Sequence, residues 1–184
     1  MDKTISLAEF ELVRIEWSSL REIRSALKEA IVSTDYVSLV MKDLLNAKSP
    51  EEAEKLYWKI ENNVFVQGQL FEAAEYLVPV LMASLMEVRE DFIKTNIFEL
   101  LFQIVAGEPH QYEIALGNSN LAEKCRAKAR EGLWILYKEL INGDNTSSEM
   151  AFEILQRIET DFSRLETFLK AKRRQQIPAG DFPP

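Results

Sequence analysis

The 184 residues suffice for one domain that buries most of its surface, and 47% hydrophobic with 28% charged residues is a globular rather than a disordered balance. A formal net charge of −8 disfavours nucleic-acid binding, because an acidic chain repels phosphate backbones. One cysteine rules out an internal disulfide, and one histidine with one cysteine cannot supply the ligand sets of zinc, haem or thiolate sites.

Six Gly and six Pro are few, which favours long helices over many short strands and makes the expected fold class all-α. The first residues lack the apolar run of a secretory signal, and no uncharged apolar stretch reaches bilayer length. The expectation is a cytoplasmic chain without a membrane span. Ser6 and Glu9 have the form of a capping box. The stripe Leu7, Phe10, Val13, Trp17, Leu20, Ile23, Leu27, Ala30 and Ile31 then predicts one long helix, or two meeting near Trp17–Ser19, punctuated by Ser33, Thr34 and Asp35. A second stripe follows on Val37, Val40, Met41, Leu44 and Leu45.

Ser49-Pro50-Glu51-Glu52 is the strongest helix start: a capping serine, a proline at the first helical position, and a glutamate able to reach back. Ala53, Leu56, Tyr57 and Ile60 form its apolar face, and a short connection from Asn62 to Gly68 ends it without a countable strand. The next helix, through Leu70, Phe71, Ala73, Ala74 and Leu77, is expected to kink or restart at Pro79. Residues 91–106 are apolar nearly all round, which marks the central helix; Gly107 suits a left-handed end and Pro109 blocks continuation.

Residues 108–120 read as the longest non-helical gap. A helix from Leu121 to Asn142 follows, then a capping box at Thr146 and Glu149 and a final stripe from Ala151 to Leu169. The basic run Lys170, Lys172, Arg173 and Arg174 suits a helix C-terminus better than a nucleic-acid site. Residues 1–174 are read as one helical domain, with 1–48 as N-terminal capping helices and 175–184 as a disordered tail.

Three stretches carry a family likeness: Gln67-Gly68-Gln69-Leu70-Phe71-Glu72-Ala73-Ala74 with Leu77 to Leu81; Ile97 to Gly107; and Cys125-Arg126-Ala127 with Gly132 and Tyr137. On these, the segment from Leu56 to Leu165 resembles the HEAT-like α-helical repeat proteins of bacteria, including immunity proteins of polymorphic-toxin systems. The resemblance implies a short superhelix of antiparallel helix pairs, with an irregular helical bundle as the alternative. In it, Gly68 and Gly132 would permit close helix approach.

No phosphate-cradling glycine loop, nucleophile elbow or Glu-x-x-His pair is present. A Cys125–His110 dyad is the one nucleophile arrangement available, against a plain reading of Cys125 as a small buried hydrophobe. Stacked helix pairs usually present a surface to another protein. The expected function is therefore non-catalytic: no catalytic residue, no cofactor, no metal, and a basic protein partner, in the resemblance a toxin. Alternatives are a subunit of a larger complex, or a small enzyme with His110 as base. The candidate protein-binding residues are Trp58, Asn62, Asn63, Gln67 and Gln69, around the first hairpin turn.

Overall fold

The computed structural model describes residues 6–23 and 36–175. Leu27, Ala30, Ile31, the Ser33–Asp35 punctuation and the tail beyond Gln175 lie outside the described residues. Among the described residues the chain forms ten α-helices and one small sheet. No described helix is long and apolar enough to cross a membrane.

The first helix, α1 (Leu7–Val13), is shorter than its stripe suggested. It ends before a 3₁₀ turn at Trp17–Ser19, where the Trp17 indole donates to the Leu12 carbonyl (2.9 Å). Its start is doubly satisfied: Ser6 Oγ accepts from Glu9 N, and the Glu87 carboxylate accepts from Leu7 N at 2.5 Å and from Ser6 Oγ at 2.6 Å. After α2 (Tyr36–Leu45) comes α3 (Pro50–Val64), capped by Ser49 as expected; Glu52, however, reaches the amide of Lys48 and not of Ser49. Ala53, Leu56, Tyr57 and Ile60 are all buried, so the predicted face is the packed one.

The connection after α3 does contain strands, contrary to expectation. Phe65–Val66 (β1) and Gln69–Leu70 (β2) form an antiparallel hairpin, and Glu108–Pro109 (β3) adds to β2 in parallel. The turn needs positive φ at both central residues, and Gln67 (φ 50°) and Gly68 (φ 74°) supply it. Gly68 therefore serves the turn and touches no neighbouring helix; nothing lies within 4 Å of where its Cβ would be. Gly132 does permit close approach, because a Cβ there would strike the Met82 side chain.

Helix α4 (Ala73–Glu87) runs through Pro79 without restarting. Helix α5 (Asp91–Ala106) packs against α3 and α4 and against two later helices, which makes it central, as its all-round apolarity predicted. Gly107 is extended rather than left-handed (φ −74°); it is small because Leu70 packs where a Cβ would stand.

The expected gap holds β3 and a short helix, α6 (Gln111–Ala115). The single long helix expected next is broken at Gly132 into α7 (Leu121–Glu131) and α8 (Leu133–Asn142). Asp144, not Thr146, caps α9 (Asn145–Ile158), accepting from Ser147 N and Ser147 Oγ. The final stripe is likewise broken, and α10 (Phe162–Gln175) starts anew with Phe162 exposed. Helices α3, α5 and α9 make one packed row and α1, α4 and α7 another, with α4·α5 and α5·α7 contacts joining them.

Candidate functional site

On the row of α3 and α5, side chains from the two helices enclose a groove of about 320 Å³. Glu54, Trp58 and Glu61 stand at spacings of four and three on α3, so they form one ridge. Asn96, Glu99 and Gln103 form the facing ridge on α5, with Thr95 beside them and Tyr57 at the base. Three of the eight lining side chains are carboxylates and none is a cation.

That imbalance is local and built in. Lys94, the one cation of α5, pairs with Glu139 at 2.5 Å. Lys55 and Lys59 of α3 line a separate hollow with Asp43, Asn46 and Ser49. Glu99 accepts from the Gln103 amide (2.9 Å), whereas one Glu61 carboxylate oxygen is buried with no hydrogen-bond partner. Burial, and next the Glu61 and Glu99 carboxylates, hold the Tyr57 phenol well above its usual pKa. Trp58 is half exposed and meets Tyr57 edge to face, with centroids 5.2 Å apart.

Of the residues expected at this site, only Trp58 lines the groove. Asn62 is exposed, one helical turn from Trp58. Asn63 is 1% exposed and donates to the Lys59 carbonyl (2.6 Å), so it belongs to the interior: the helix runs on past it instead of stopping there. Gln67 and Gln69 are exposed on the β1–β2 hairpin. Tyr57, Glu61, Glu99 and Gln103 were not anticipated. The spacing of each ridge is visible in the sequence, but which ridge faces which is a property of the α3–α5 packing.

The residues of the nucleophile alternative are held apart from such a role. The His110 Nδ1 accepts from Tyr112 N to cap α6, and the ring stacks on Phe71 at 4.7 Å. Cys125 is fully buried in α7, and burial, followed by the nearby Glu75, pushes its thiol up to about 12. A thiol held there is protonated at neutral pH and a poor nucleophile. Its neighbour Arg126 has a structural task, donating to the Val105 carbonyl at the open end of α5 and to Glu108.

Two buried carboxylates are fully paired within the chain. Glu113 accepts from Arg21 (2.7 and 3.0 Å) and Asn118 (3.0 Å); burial opposes its ionisation, but these donors outweigh it and keep its pKa low. Glu159 accepts from both arms of Arg164 (2.7 and 2.9 Å) and from the Tyr137 hydroxyl (2.5 Å). Arg164 in turn lies over Trp134 and Tyr137, 5.4 and 5.7 Å from the ring centroids. Among the described residues, no group of three or more His, Cys, Asp or Glu could hold a metal ion.

Comparison with known proteins found no matching family model, no matching curated protein and no matching solved structure. The geometry of the groove therefore carries the functional reading.

Proposed function

We propose that this chain is a non-catalytic protein-binding module whose α3–α5 face engages a basic partner. The observation that carries the reading is the set of three carboxylates, uncompensated by any lining cation, around the half-exposed Trp58. Carboxylates at close quarters repel one another, and a cation arriving with a partner relieves that repulsion. Trp58 offers a large, rigid contact area, the profile of an interface anchor. The net charge of −8 would speed the encounter.

Within this class, the likeness to bacterial immunity proteins makes the partner a toxin, neutralised when a preorganised acidic surface covers its basic site. The chain then works in the cytoplasm, without a cofactor. Purification of the tagged protein from its host should return one stoichiometric basic protein at low salt, released as salt rises and lost with Trp58→Ala. A monomer with nothing attached at low salt, or a partner indifferent to Trp58→Ala, overturns the reading. A partner retained at all salt concentrations and required for folding makes the chain a subunit of a larger complex instead.

A further inference from the structure

The chain contains a worked instance of what a Trp–Tyr–Glu group holds. At Trp134, Tyr137 and Glu159 the occupant is the chain's own Arg164, forked onto the carboxylate and laid over the two rings. The α3–α5 groove repeats the residue types: Trp58 and Tyr57 in ring contact, with Glu61 beside them. It repeats the electrostatics as well, since in both places burial and an adjacent glutamate raise the tyrosine phenol. The difference is that Glu61 has the Tyr57 phenol beside it and keeps one buried oxygen without a partner, where Glu159 also takes both arms of Arg164.

We propose that the α3–α5 groove is a socket for the guanidinium of an arginine side chain carried by the protein partner. The inference rests on the binding-module reading and narrows it to one side chain. Arginine fits better than lysine for two reasons. Its planar fork offers parallel N–H groups to more than one carboxylate oxygen, here those of Glu61 and Glu99, where an ammonium acts as a point charge. Its flat, weakly hydrated face also stacks on an indole, and Trp58 stands at the groove with half its surface open. A groove of about 320 Å³ has room for one such side chain. The Trp134 group cannot compete for the same arginine, because Arg164 already occupies it.

The test is a two-dimensional NMR titration of the full-length protein with acetyl-Gly-Arg-Gly-amide and with its lysine counterpart. The arginine peptide should shift the Trp58 indole and the Glu61, Glu99 and Gln103 amides saturably, about tenfold more tightly than the lysine peptide, and leave the Trp134 indole unmoved. Glu61→Gln should weaken it by about tenfold at unchanged spectral dispersion, with Glu99→Gln as a second variant should the first unfold. Equal binding of both peptides, or binding indifferent to both variants, overturns the arginine socket and leaves the binding-module reading standing. A partner captured through Trp58 while the groove ignores both peptides also overturns the socket alone. No captured partner and no shift with either peptide overturns both.

Discussion

Two groups of the same composition, Trp134–Tyr137–Glu159 and Trp58–Tyr57–Glu61, differ in whether the chain supplies their cation. In the first, Arg164 reaches back from α10 onto α8 and the turn after α9, and the ring faces it covers join the packing of Phe168 against Tyr137 (4.3 Å). That group fastens the last helix to the body. In the second, no cation of α3 or α5 lines the groove: Lys94 pairs with Glu139, and Lys55 and Lys59 line another hollow. Exposure of the tryptophan does not separate the two, since Trp134 is 62% exposed and Trp58 50%. Charge compensation does. An open indole beside a carboxylate that holds an arginine is a fastening, and one beside a carboxylate that no lining cation meets is a place for something else.

Removing the carboxylate should therefore act with different size in the two places. Glu159→Ala strips the partner from Arg164 and Tyr137 and two amides, so we expect a loss of about 2–3 kcal/mol in stability, read as a fall in the urea midpoint. Glu61→Ala removes a buried oxygen that has no partner but also takes the carboxylate from beside the Tyr57 phenol, so the two effects offset and stability should change by less than about 1 kcal/mol. Equal losses from the two variants would break the comparison. The tryptophans should divide in the same way. Trp58→Ala should cost about 2 kcal/mol of partner affinity with stability nearly unchanged, and Trp134→Ala about 1 kcal/mol of stability with affinity intact.

Acid sharpens the contrast. Arg164 first, then Tyr137 and the Asp161 amide, hold the Glu159 carboxyl at about 2 against an ordinary 4.5, although burial works the other way. A carboxyl whose folded value lies below its unfolded one binds fewer protons in the native state. Its stabilisation is whole above about pH 5 and drains away as pH falls through 4.5 toward 2. Urea unfolding should thus weaken steeply over that window, and Glu159→Gln should flatten the slope there.

The sequence carried the helical class, the start of α3 and its buried face, because capping and a 3.6-residue stripe are local signals. It also carried the central place of α5, since a helix apolar nearly all round must be covered on most sides, here all but the ridge of Asn96, Glu99 and Gln103. It did not carry the sheet, whose strands β1 and β2 are two residues long and are joined by β3 from almost forty residues later. The breaks at Gly132 and Glu159 were hidden too, because apolar spacing runs smoothly across both. Trp58 was legible at the site as an aromatic beside an apolar face. Asn63 was misjudged because an asparagine near a helix end usually turns the chain, and here it is swallowed by one more residue of helix. That the cation of one Trp–Tyr–Glu group comes from α10 and that of the other from nowhere in the described chain is a tertiary fact.

The smallest effect tests where the face stops. Gln67 holds φ 50° in the β1–β2 turn, a conformation that asparagine tolerates better than glutamine and that two-residue hairpins favour as Asn-Gly. Gln67→Asn should therefore add a few tenths of a kcal/mol to stability, up to about 0.5. Gln67→Val should remove about 1 kcal/mol, since a β-branched residue resists positive φ. Gln67 does not line the α3–α5 groove. Both variants should then bind the partner as the parent does once protein concentrations are corrected for the folded fraction. A change in affinity from Gln67→Asn, which disturbs nothing but the turn and its side chain, would extend the interface from the groove onto the hairpin and bring Gln69 in with it.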